Sequence, residues 1–194
     1  MLHAKLVREG FRVNVKVVER IYREERLWLR RTKRKKIPRE GREGAWCPIA
    51  SNQRWSLDFT SDALANGRKF RTANLKDDCT RECPAIEVDF SLPGERVVEM
   101  LGRVARERGY PDILVVDNGP ELRGRALDGW ADDHGVQLCF IDPGKPTQNA
   151  YIESFNGRFH EECLNQHWFT NVGEAREIIE DWRIDYNTER PHSR

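Results

Sequence analysis

The sequence predicts an α/β fold, a mixed sheet covered by helices, and three observations carry that prediction. Trp55-Ser56-Leu57-Asp58-Phe59-Thr60 alternates with period two, as a half-buried strand does. Ile113-Leu114-Val115-Val116 is a short continuous apolar run, the pattern of a parallel strand covered on both faces. Strands come first in the chain and helices then alternate with strands, which argues for one sheet with helices packed on it.

The elements follow in order. Val15, Val18, Tyr22 and Leu29 form an apolar stripe among charges, predicting a helix over 11–31, with Gly10 as a break ahead of it. A strand begins at Trp55, and Asn66-Gly67 marks a hairpin turn. Two further strands are expected at about 69–76 and 84–90. Val97, Val98, Leu101, Val104 and Ala105 share one side of a helix over 95–108, which Gly109 ends. After the strand at 113–116, a helix is expected around 121–134, stopped by Gly135, then a short strand over 136–141. A helix starts near Gln148, and a last one covers about 173–186.

Length and composition bound the rest. The chain has 194 residues, six Trp and eight Phe, which suits one domain with a small appendage and argues against disorder throughout. No apolar run is long enough for a transmembrane helix. Lys5, Arg8 and Glu9 interrupt any secretory apolar region. Five Cys show no complete zinc pattern and read as reduced thiols of a cytoplasmic protein. His134, His160 and His167 have no paired ligand spacing either.

The formal net charge of +1 hides a division. Residues 1–44 hold 15 Lys and Arg against 6 Asp and Glu, and the remaining 150 hold 18 against 26. A basic arm of +9 therefore precedes an acidic body of −8. The arm contains Arg31, Lys33, Arg34, Lys35 and Lys36, which read either as a solvated tail or as phosphate contacts. Residues 1–36 are expected to be a partial helical segment suited to a polyanion, 37–50 a linker, and 51–194 the main domain.

Among 13 Asp and 19 Glu, spacing alone decides nothing, and position matters more. Asp58 lies mid-strand, opposite the face shared by Trp55, Leu57 and Phe59. Asp117 ends the 113–116 strand, where groups gather in sheets of this kind. On the following helix, Ile152, Phe155, Phe159 and Cys163 mark the core side, while Asn149, Glu153, Asn156 and His160 form a polar stripe one step round. Three carboxylates brought together are tolerable when a cation sits among them, and hard divalent ions prefer oxygen ligands. The alternative is ordinary solvated surface acids. Asp77 and Asp78 read as turn residues. Lys145 and Arg158, and with them Gln148 and Asn149, could contact DNA, against surface solvation. Trp46 and Trp168 read as base-stacking or packing residues.

These residues resemble a known family. Asp58 within Gln53-Arg54-Trp55-Ser56-Leu57-Asp58-Phe59, Asp117 within Val116-Asp117-Asn118-Gly119-Pro120-Glu121, and Glu153 within the segment Gly144–Gly157 look like the integrase core of DDE transposases. The bacterial insertion-element type, related to retroviral integrases, is the particular likeness. Thirty-five residues separate Asp117 from Glu153, as in that family, and Trp182–Ser193 is similar to its closing segment. The likeness covers about residues 10–194. It implies a ribonuclease-H-like fold and two Mg²⁺ (or Mn²⁺) ions held by Asp58, Asp117 and Glu153. It also implies cleavage and strand transfer on the DNA ends of a mobile element, and a homo-oligomer on DNA in the bacterial cytoplasm, associated with the nucleoid. Lys145, Gln148, Asn149, Asn156, Arg158 and His160 are the accompanying DNA-contact candidates. The departures are His160 where the family carries Lys or Arg, Lys76 where an apolar residue is expected in a central strand, and shorter ends. They suggest a truncated copy, and a catalytically silent one that still binds DNA or partner subunits is the alternative.

Overall fold

The computed structural model describes residues 2–27, 48–141 and 149–189. The chain divides into two compact units, Met1–Glu43 and Gly44–Arg194. The basic run Arg31, Lys33, Arg34, Lys35 and Lys36 lies outside the described residues. So do Trp46, Lys145, Gln148 and the end of the closing segment.

The first unit contains two helices, α1 (Leu2–Arg8) and α2 (Val15–Glu24). Gly10 adopts φ 89° between them, a left-handed conformation that suits glycine. The Asn14 side chain caps α2 by accepting from the Lys16 amide at 2.9 Å. This corrects the single helix expected over 11–31. The helix starts at its cap rather than at Phe11, and it stops at Glu24, before Arg26 takes φ 53°. The sequence reading had missed α1, which is only seven residues long.

The second unit is built on a five-stranded sheet of order β3-β2-β1-β4-β5. Its strands are β1 (Arg54–Ala63), β2 (Lys69–Asp77), β3 (Ala85–Asp89), β4 (Ile113–Val116) and β5 (Gln137–Phe140). β1, β2 and β3 form an antiparallel meander, and β4 lies parallel to both β1 and β5. The β1–β2 turn is the expected one: Gly67 takes φ 81°, and Asn66 Oδ1 accepts from the Arg68 amide at 2.9 Å.

Helices cover both faces. The face bearing Trp55, Leu57, Ala73 and Leu75 packs on α3 (Gly94–Arg108) and α4 (Arg125–His134) through Met100, Leu101, Val104, Leu127 and Trp130. The face bearing Phe70 packs on α5 (Ala150–Glu162) and α6 (Val172–Thr188) through Ile152, Phe155, Phe159, Ile179 and Tyr186. Rings hold α5 on α6, with Phe155 edge-on to Tyr186 at 5.1 Å and Phe159 near Trp182 at 5.1 Å. At the start of α6, Asn171 accepts from the Glu174 amide while the Glu174 carboxylate accepts from the Thr170 amide, a reciprocal cap.

α4 starts four residues later than expected. Leu122 is fully buried in a turn whose amide bonds back to Gly119, and the helix begins only after Gly124. Asp77 ends β2 and Asp78 opens the turn after it, and both make the local hydrogen bonds expected at a strand end. Asp77 Oδ1 accepts from the amides of Cys79 and Thr80, and Asp78 Oδ2 accepts from the Ser56 hydroxyl at 2.7 Å.

Candidate active site

The sheet brings two of the three sequence-predicted acids together by register. β1 and β4 run parallel with Ser56 opposite Val115, so continuing both strands by two residues sets Asp58 beside Asp117. Trp55 and Leu57 are buried on one face of β1, which leaves Asp58 on the other. Asp58 points to the α5 side of the sheet, away from Leu57. The first turns of α5 deliver Glu153 there, exposed, while Ile152 and Phe155 are buried against the sheet.

Asp58 is held at both oxygens. Oδ1 accepts from the Phe59 amide at 2.8 Å and Oδ2 from Asn156 Nδ2 at 2.8 Å. Asn156 in turn accepts from Asn74 Nδ2 at 2.8 Å. Asn74 sits opposite Asp58 in the β1–β2 ladder, so β2, α5 and β1 are joined by one chain of side-chain bonds. Asp117 Oδ1 accepts from the Gly119 amide at 2.9 Å, which closes the turn after β4. Asn118 fastens that turn to the end of β5 by donating to the Ile141 carbonyl at 2.6 Å. Arg71 of β2 pairs with Glu121 on the other face of the sheet and lowers its pKa, tying down the far side of the same turn.

The electrostatics are those of a crowded acidic site. Burial pushes the Asp58 carboxyl up from 3.8 to about 6, and the charges of Asp117 and Glu153 push it the same way. Its bonds from Phe59 and Asn156 pull in the opposite direction and do not win. Among the described residues, no three His, Cys, Asp or Glu side chains are drawn into a single cage. The donor set is nevertheless all carboxylate oxygen, which fits a hard divalent cation, and a cation would relieve the repulsion that raises the Asp58 pKa.

The flanking candidates divide. Asn156 is 7% exposed and spends its amide on Asp58 and Asn74, so it supports Asp58. Asn149, at the head of α5, is 4% exposed, and its Oδ1 is buried without a hydrogen-bond partner. Arg158 and His160 are half-buried, with His160 beside the Phe159 ring. Trp168 is 81% exposed, so packing does not account for it. Asn74, Arg71 and the Gly119 amide were not anticipated. Asn74 carried no signal of its own, being one of several polar residues of β2.

Comparison with known proteins agrees with this architecture. Two profiles described as integrase core domain match the chain, over residues 49–146 and 134–194. The chain is 50% identical over 192 residues to the uncharacterized 31.7 kDa protein of insertion element IS407 from Burkholderia multivorans, covering 99% of this chain and 69% of that protein. The chain belongs to the integrase core family of insertion elements. The 39.2 kDa protein of IS476 from Xanthomonas euvesicatoria is 46% identical over 192 residues, and the chain spans 56% of its length. Among solved structures, the simian T-cell lymphotropic virus intasome superposes with a TM-score of 0.66 at 13% identity, over 75% of this chain and 52% of that one. The HTLV-2 integrase catalytic core in complex with magnesium superposes with 0.60 at 14% identity, over 73% and 89%. These likenesses establish the ribonuclease-H-like integrase fold. No helix among the described residues is long and apolar enough to cross a membrane.

Proposed function

We propose that this chain is a transposase that cuts and joins DNA at the ends of a mobile element, with Asp58, Asp117 and Glu153 as its catalytic acids. The observation that carries the reading is the parallel β1–β4 register. It supports the reading because Asp58, in the middle of β1, then lies beside Asp117, just past the end of β4, on the side of the sheet where α5 carries Glu153.

Asp58, Asp117 and Glu153 would hold two Mg²⁺ (or Mn²⁺) ions. When bound, such ions supply activation of the attacking hydroxyl and stabilisation of the leaving oxygen in an in-line phosphoryl transfer. The protein's own contribution is placement. Asn156 and the Phe59 amide fix the Asp58 carboxylate, and the Gly119 amide fixes Asp117. Holding groups in register in this way removes the entropy of assembling them at each turnover. The DNA, an anion, must approach an acidic centre, so cations beside the acids are needed to receive it. Lys145, Gln148, Arg158 and His160, with Arg31, Lys33, Arg34, Lys35 and Lys36, are the proposed contacts. The intasome likeness supports assembly of several copies on DNA, in the bacterial cytoplasm.

The test is nicking of an oligonucleotide carrying the element's terminal sequence, with and without Mg²⁺. Asp117→Asn should abolish Mg²⁺-dependent nicking while the far-UV circular dichroism stays that of the parent. Undiminished nicking by this variant would overturn the assignment. Binding without nicking by the unsubstituted chain would leave a DNA-binding protein with a silent site.

A further inference from the structure

Lys76 is the charged residue that the fold has least reason to tolerate. It lies in β2, opposite Ser56 of the central strand, and is 5% exposed. Buried lysines are rare without a specific partner. Its Nζ donates to the Tyr151 carbonyl at 3.0 Å, crossing from the sheet to the first turn of α5.

Two residues along β2, on the same face, Asn74 reaches the same helix through Asn156. β2 therefore grips α5 at residues 151 and 156, on either side of Glu153. The Asn74 grip also leads to Asp58, whereas the Lys76 grip leads only to the helix end that carries Glu153. The Arg81 guanidinium lies 4.1 Å over the Tyr151 ring, so the same residue is steadied on its side-chain face as well.

We propose that Lys76 is a positioning residue for Glu153, a strut from the sheet that sets where the start of α5 places that carboxylate relative to Asp58. The proposal rests on the reading of Glu153 as a member of the acidic site. It goes beyond that reading in assigning to this chain a support that acts through backbone, without touching substrate or ion.

A strut of this kind has a signature. Lys76 bonds a neutral carbonyl, and buried Asp78 keeps Arg54 at 2.9 Å and Ser56 at 2.7 Å, so an apolar residue of similar volume at 76 removes the cost of burying an ammonium without stranding a partner. The Tyr151 carbonyl sits within a helix, so losing the lysine does not strip it of its helical neighbour. A packing role would move stability and activity together, while a positioning role separates them. The protonation state offers a second readout. Burial lowers the Lys76 pKa from 10.5 to about 8, Asp78 and Cys83 oppose the change, and Arg81 and Arg158 add to it. The ammonium is thus the form present below about pH 8, and the charge-assisted bond weakens above it.

The experiment compares the full chain with Lys76→Met and Lys76→Arg. Lys76→Met should keep or raise Tm and leave the KM for DNA unchanged. It should lower Mg²⁺-dependent nicking about tenfold, the usual size for a lost supporting contact. Hydrogen exchange should quicken in peptides spanning 150–160 and stay unchanged in β1 and β4. Lys76→Arg should restore activity and remove the decline of nicking above about pH 8. Parental nicking together with parental exchange in Lys76→Met would overturn the proposal. Should the unsubstituted chain fail to nick, the catalytic reading falls, and the exchange comparison still decides whether Lys76 holds α5.

Discussion

Asp58→Asn should make the ion-free protein more stable at neutral and alkaline pH. The carboxyl titrates near 6 in the folded chain against 3.8 as its ordinary value. The folded state therefore binds more protons between those values, and stability falls as pH rises through that window. Above about pH 6 the full penalty is present. A shift of this size corresponds to about 3 kcal/mol, and partial solvent exposure of the group reduces it to about 2. Asparagine removes the penalty and keeps the acceptor for the Phe59 amide. Its new NH₂ group would face Asn156 Nδ2, but the amides of Asn156 and Asn74 can both flip. Asn74 Oδ1, now buried without a partner, would then accept from Asn156. For a domain of this size a gain of about 2 kcal/mol raises Tm by roughly 4–8 °C. Thermal melts in chelator at pH 8 and at pH 4 measure it. The gain should appear at pH 8 and vanish at pH 4, and Mg²⁺ should stabilise the parent more than the variant. A variant no more stable than the parent at pH 8, or equally favoured at both pH values, would refute the account of a strained, unneutralised acid.

Two other changes test the supports of the site. Asn156→Ala removes a bond that lowers the Asp58 pKa, so Asp58 should titrate above about 6 and the acid limb of the nicking profile should move upward. Carboxyl chemical shifts against pH would show this directly. In Gly119→Ala the added Cβ would lie 2.9 Å from Asp117 Oδ1, closer than real contacts come, and a tight 3.2 Å from Glu121 Oε2. Displacing that turn should cost about 1–3 kcal/mol in urea denaturation, with nicking reduced as well. Unchanged stability would mean that the turn holds Asp117 less firmly than its bonds suggest.

The strands were legible because their signal is local. Alternation through Trp55–Thr60 gave β1 and the face of Asp58, and the apolar run 113–116 gave β4 and the strand end of Asp117. The turn chemistry of Asn66-Gly67 was equally direct. Periodicity gives a face, but not what lies across from it. The polar stripe on α5 grouped Asn156 with Glu153, yet one helical turn separates an exposed acid from an amide buried against β2. Lys76 stood out as an anomaly, but its partner lies 75 residues away. The late start of α4 was hidden for a similar reason, since Leu122 is drawn into the core and Glu121 to Arg71 on a distant strand. The family motifs carried the site further than the residue pattern did, because three acids far apart in sequence become one site only through tertiary structure.

The parallel pairing of β4 beside β1 has a consequence for the order in which the three acids meet. The β1–β2–β3 meander closes through neighbouring segments, but Asp117 reaches Asp58 only after the chain has passed through α3, and Glu153 arrives later still. Pairings of high sequence separation are the slow ones to form. A chain still emerging from the ribosome thus has its first acid set in a strand long before the other two exist to meet it. Under the proposed function, the three acids would form no complete site beside the cell's DNA until α5 has been made and has docked.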